Sequence, residues 1–135
     1  MDVNGKRRTL ILMTYDNGQK SPENVKELAL RALDADKALD IEMIDLRGLT
    51  TIADYMIVAS GTSSRHVNAL AEKLAERLSI LGLKDIRMEG QENSEWVIVD
   101  AGDVIIHIFK PEVRSFYNIE KMWNMPHSTM ELVTA

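Results

Sequence analysis

Residues 54–81 constrain the fold more than any other part of the chain. Residues 55–59 (Tyr-Met-Ile-Val-Ala) are almost wholly apolar, a composition that suits a strand buried on both faces of a sheet. Ser60-Gly61-Thr62-Ser63-Ser64 then turns the chain, with Thr62 or Ser63 placed to cap the helix that follows. In that helix Val67, Leu70, Ala71, Leu74, Ala75, Leu78 and Leu81 recur at helical spacing and form one stripe. Gly82 ends it, where a left-handed residue is wanted. A buried strand leading directly into a packed helix is the seed of an α/β domain.

The flanking sequence extends that unit in both directions. Ser21-Pro22-Glu23 starts an earlier helix, with a capping hydroxyl, proline at the first helical position and an acid in the first turn. Val25, Leu28, Ala29, Ala32 and Leu33 carry its apolar stripe to about residue 37. Residues 41–46 read as the first strand and 83–89 as a weaker one. Trp96–Asp100 and Val104–Phe109 read as a hairpin across Ala101-Gly102. Pro111 opens a C-terminal helix reaching about Trp123, or two short helices in succession. This order predicts a single α/β domain with a mixed sheet of about five strands and helices packed on it. The domain spans residues 21–123, between an N-terminal tail (1–20) and a C-terminal tail (124–135). Residues 10–13 (Leu-Ile-Leu-Met) are an apolar run within the first tail, short enough that packing would order it only in part.

At 135 residues the chain is long enough for one domain with its own core. No apolar run approaches a membrane span, and the run after Lys6-Arg7-Arg8 is too short for a signal peptide. The absence of cysteine removes disulfide and thiolate chemistry and is compatible with the cytoplasm. A net charge of −5, with Lys6-Arg7-Arg8 the one basic cluster, argues against a protein that holds nucleic acid by its phosphates. A protein partner fits better.

The hairpin sorts its side chains if Ala101-Gly102 is the loop. Counting outward, Asp100 faces Asp103, Val99 faces Val104, Ile98 faces Ile105, Val97 faces Ile106 and Trp96 faces His107. Val97, Val99, Val104, Ile106 and Ile108 then share the core face. Trp96, Ile98, Asp100, Asp103, Ile105 and His107 share the other. That second face mixes a large aromatic with acids and a histidine, which suits a protein interface. Coverage by the C-terminal helix as ordinary core is an equal alternative on composition.

Reactive chemistry is weakly signalled. The 60–64 turn could cradle a phosphate at a helix N-terminus, but it has neither P-loop spacing nor a dinucleotide fingerprint. A plain capped turn explains it better. His66 has no carboxylate at an obvious partner spacing and reads as a surface histidine. His107 and His127 are far apart, and no spacing gathers a zinc site. Asp100 and Asp103 flank a turn, where aspartate belongs for structural reasons. No nucleophile elbow is present.

Several motifs in series carry a more specific signal. These are Ala53-Asp54-Tyr55, residues 61–67 (Gly-Thr-Ser-Ser-Arg-His-Val), and Glu89-Gly90 with Trp96. Then come Asp100-x-Gly102-Asp103-Val104-x-x-His107-x-Phe109, Arg114-x-x-Tyr117 and Glu120-Lys121-x-Trp123. In order and in spacing, residues 23–123 resemble the ribosomal silencing factor family, also called Iojap-like. The resemblance implies a cytoplasmic translational repressor that binds the large ribosomal subunit through that subunit's fourteenth protein. Occupying that face blocks joining of the small subunit when nutrients are short. It also implies a homodimer when free, no cofactor, and a fold similar to the nucleotidyltransferases. Those enzymes follow a Gly-Ser turn with an Asp-x-Asp pair on the next strand to hold magnesium. Here that strand reads Asp85-Ile86-Arg87-Met88-Glu89, with Arg87 where the second acid would stand. The expectation is a non-enzyme without a metal site, and a divergent magnesium-dependent nucleotidyltransferase is the alternative. The expected partner-binding surface comprises Trp96, Asp100 and His107 on the hairpin, bordered by Arg114 and Tyr117, three apart on the following helix.

Overall fold

The computed structural model describes residues 20–123, so nearly all of both tails lies outside the described residues. The elements are α1 (Pro22–Ala35), β1 (Leu39–Asp45), β2 (Tyr55–Ser60), α2 (Ser64–Leu81), β3 (Arg87–Glu89), β4 (Trp96–Asp100), β5 (Val104–Phe109), α3 (Pro111–Tyr117) and α4 (Ile119–Trp123). The strands form one five-stranded sheet in the order β1-β2-β5-β4-β3. The β2–β5 pair is parallel and the other three pairs are antiparallel, giving the expected mixed sheet.

Both long helices start as the sequence dictates. Ser21 Oγ accepts the Asn24 N–H at 3.2 Å and Pro22 opens α1, which buries Val25, Ala29, Ala32 and Leu33. Ser63, rather than Thr62, caps α2, and Gly82 ends it with φ +116. Those stripes pack on Ile57, Ala59, Val97, Val99, Val104, Ile106 and Ile108, the first face of the sheet. Every residue of β2 is buried, because it lies inside the sheet with a core on each side. The second core holds Ile44, Leu46, Met56, Val58 and Phe109, covered by Val113 of α3 with Ile119 and Trp123 of α4.

Four expectations are corrected. α1 ends at Ala35, ahead of the expected 37, and Lys37 turns the chain with φ 66. β1 starts at Leu39 rather than 41, with an irregularity between Leu39 and Glu42 at Asp40 (φ 47). The strand expected over 83–89 shrinks to Arg87–Glu89 at the sheet edge, where it pairs with β4 alone. The hairpin register differs most. Ala101 N–H donates to the Val104 carbonyl at 3.0 Å, so the two-residue loop is Gly102-Asp103. Gly102 has φ +86 at the first central position, the requirement of a type II′ turn. Trp96 therefore lies opposite Phe109, and His107 opposite Ile98. The slip moves every pairing by two residues, an even number, so the side chains keep their expected faces. Asp103 leaves the face for the loop, and Phe109 joins it. The C-terminal segment is two short helices, split at Asn118 (φ 51).

Candidate protein interface

β4 and β5 place Trp96 and Phe109 side by side on the second face, and α3 brings two more rings over them. The Trp96 ring stacks on Phe109 with centroids 4.8 Å apart and planes at 29°. Tyr117 packs on Trp96 at 4.8 Å, and Phe116 meets Tyr117 edge-on at 5.0 Å. The four rings form a column that leads from core to solvent. Phe109 is fully buried, Trp96 half-buried, Tyr117 52% exposed and Phe116 80% exposed. The column is thus anchored in a core and leaves an apolar, aromatic end open to solvent. The sequence motifs include Phe109 but do not place it in the expected contact surface, and Phe116 belongs to none of them. Reading Gly102 as the first residue of a type II′ loop would have set Phe109 against Trp96.

His107 lies diagonally from Trp96 and fixes its ring. Trp96 Nε1–H donates to His107 Nδ1 at 3.0 Å, so this nitrogen is unprotonated and the neutral imidazole carries its hydrogen on Nε2. Burial lowers the His107 pKa from 6.5 to about 4. The unfolded chain thus takes up a proton at a pH where the folded chain does not. The stability tied to neutral His107 is complete above pH 6.5 and is lost as pH falls towards about 4. We expect a loss of about 3 kcal/mol across that window, and a flatter profile for His107→Asn. Urea midpoints measured along the window check this; equal slopes for the two proteins would refute it.

Asp100 shares the second face, but it lies four residues from Trp96 along β4, roughly 13 Å away. Its Oδ1 accepts the Gly102 N–H at 2.8 Å and shapes the hairpin turn. Arg114 departs from its expected place. It is buried, and does not border the exposed patch beside Tyr117. Its Nε donates to Glu120 Oε2 at 2.9 Å, Nη1 to the Asp40 carbonyl at 2.7 Å and to Ser60 Oγ at 2.9 Å, and Nη2 to Glu42 Oε2 at 3.3 Å. α3 lies across the sheet, so one residue of its underside reaches β1 and β2 while the other reaches β4. Arg114 thereby ties α3, α4, β1 and β2 together at the far end of the face.

The 60–64 turn is a structural device. His66 Nδ1 accepts the Thr62 N–H at 2.9 Å, and Ser63 Oγ accepts the His66 N–H at 3.1 Å. Two of the N–H groups that a phosphate would need are therefore engaged. His66 Nε2 donates to the Asp36 carbonyl at 3.0 Å, so this half-buried histidine joins α2 to the end of α1 rather than standing on the surface. Gly61 is required because a Cβ there would stand 2.9 Å from Val67 Cγ2. Among the described residues no group of three His, Cys, Asp or Glu side chains could hold a metal. With Arg87 on β3 in place of a carboxylate, calorimetric titration of magnesium–ATP is expected to show no binding in the micromolar range. Magnesium-dependent micromolar binding would overturn this.

The family profile described as "Ribosomal silencing factor during starvation" matches residues 19–134. The chain belongs to the ribosomal silencing factor family. The protein of Zymomonas mobilis named "Ribosomal silencing factor RsfS" is 52% identical over 102 residues, covering 76% of this chain and 77% of that protein. A crystal structure of a Chromobacterium violaceum protein superposes with a TM-score of 0.75 at 42% identity, covering 78% of this chain and 88% of that one. A mouse protein named "Mitochondrial assembly of ribosomal large subunit protein 1" is 30% identical over 102 residues, covering 73% of this chain and 45% of the mouse protein. The residues behind the resemblance to the family have separate duties in this structure. Gly61 to His66 build the α2 turn, Asp100 and Gly102 the hairpin turn, and Arg114 with Glu120 the buried pair. Trp96 and Tyr117 build the aromatic column.

Proposed function

We propose that this silencing factor binds the large ribosomal subunit through that subunit's fourteenth protein and bars the small subunit from joining. Translation is thereby repressed in the cytoplasm under nutrient limitation. Steric exclusion needs an affinity and a footprint and no reactive group, so the protein acts without catalysis and without a cofactor. The observation that carries the reading is the aromatic column ending in Tyr117 and Phe116. Trp96, His107 and Tyr117 form the anchor of the contact, with Asp100 at its edge, while Arg114 acts from beneath by holding α3 in place. The family supports a ribosomal target, and the name of the mouse relative points to the large subunit. The test is co-sedimentation of the purified protein with isolated large subunits, isolated small subunits and joined ribosomes. Pelleting with large subunits alone is expected. Equal pelleting with small subunits, or none with large ones, would refute the proposal.

We also propose a weak homodimer in the free state, because the same column leaves apolar surface wet in a monomer. Sedimentation equilibrium over a range of concentrations is expected to show a mass rising towards two chains. A strictly monomeric mass at high micromolar concentration would count against it.

A further inference from the structure

The face of the domain remote from the aromatic column holds a second feature, independent of the proposed ribosomal contact. Between α1 and α2 runs an open groove of about 600 Å³. Half-buried Leu28 and Leu81 supply its apolar lining together with Ile80. Ile80 is 79% exposed, as open to solvent as Phe116 at the tip of the column. A lone exposed isoleucine is ordinary, but this one is continuous with two leucines in a concave site. The two helices run antiparallel, since Asp36 at the end of α1 meets Lys73 and Arg77 within α2. Followed along α1 from Asn24 to Ala35, the groove is about 17 Å long, or about three helical turns. Over that length an amphipathic helix presents apolar anchors at i, i+3 or i+4, and i+7.

The charges of the groove decide which kind of helix it suits. Arg31 and Arg77 line it, against Glu27 as the one carboxylate among the described residues there. Glu27 is already faced by Lys26 at 3.6 Å. Asp36 Oδ2 meets Arg77 at 3.6 Å, but Lys73 shares the same carboxylate at 4.0 Å. Arg31 is exposed and has no ion pair among the described residues. The groove therefore carries surplus positive charge on a chain of net charge −5. That net charge repels acidic proteins in general, so a basic rim around an apolar floor selects both the segment that docks and where it seats. We infer that the α1–α2 groove is a docking site for an acidic amphipathic helix of a partner protein. The aliphatic side chains of that helix cover Leu28, Ile80 and Leu81, and its carboxylates meet Arg31 and Arg77.

Fluorescence anisotropy on the full chain tests this with two labelled model helices of about 15 residues. Both carry leucine at every third or fourth position; glutamates flank the leucine stripe in one and lysines in the other. The glutamate helix is expected to bind about tenfold more tightly than the lysine helix, with the difference shrinking as salt is raised. Arg31→Glu is expected to abolish that preference, and Ile80→Asn to weaken binding of the glutamate helix about tenfold. Both positions are exposed, so these variants keep the fold, which circular dichroism verifies. Tyr117→Ala is expected to bind both helices like the parent. Equal binding of the two helices, or none, would overturn the proposal. So would binding that is lost in Tyr117→Ala and kept in Ile80→Asn, which would place the helix at the aromatic column. Self-association of the parent that Ile80→Asn abolishes would make a second copy the occupant and overturn it as well.

Discussion

Tyr117→Ala is expected to leave the protein folded and to weaken its binding to large subunits about thirtyfold, a loss of about 2 kcal/mol. The ring is 52% exposed and rests on Trp96, so truncation removes apolar surface offered to a partner without opening the core. Phe116→Ala, at the tip of the column, should act in the same direction with a smaller effect. Trp96→Ala is a different experiment. Trp96 stacks on fully buried Phe109 and donates to His107, so its truncation also costs stability, on the order of 3 kcal/mol. Binding loss in that variant mixes contact with fold, whereas Tyr117→Ala separates them. Co-sedimentation with large subunits, read beside far-UV circular dichroism and a melting curve, checks both. A folded Tyr117→Ala protein that pellets like the parent would place the contact elsewhere on the molecule.

Arg114→Met should give the largest loss of stability, about 3–5 kcal/mol. The substitution keeps much of the aliphatic volume but withdraws the donors from Glu120, Ser60 and the Asp40 carbonyl. Glu120 would be left as a buried, uncompensated carboxylate, and its Oε1 already has no hydrogen-bond partner among the described residues. Replacing both members, Arg114→Met with Glu120→Leu, removes the stranded charge and should recover a sizeable part of the loss. The two single variants and the double one form a cycle whose coupling term measures the pair. Urea unfolding followed by tryptophan fluorescence supplies the free energies. An Arg114→Met protein within about 1 kcal/mol of the parent would refute the buried-pair account. Because Arg114 lies beneath the surface, its variants should lose ribosome binding only as far as α3 loosens.

The features that sequence alone determined are those set by local chemistry. The apolar run of β2, the stripe and caps of α2, the proline-led start of α1 and the alternating faces of the β4–β5 hairpin depend on residues a few positions apart. Helical and strand periodicities read such patterns directly. Motifs in series were likewise sufficient for the family, because order and spacing survive without coordinates. Tertiary structure decided who meets whom. Which two residues close the hairpin shifted Trp96 from His107 to Phe109 while leaving each residue that stays in the strands on its expected face, since alternation is blind to a slip of two. Arg114 lies 54 residues from Ser60 and 74 from Asp40 along the chain, so no spacing rule could foretell that it would turn inward to them. His66 and the Asp36 carbonyl, 30 residues apart, are a case of the same kind. The exposed end of the column depends on how a seven-residue helix crosses the sheet, which is settled by packing on the second core and by the ties Arg114 makes to β1, β2 and α4.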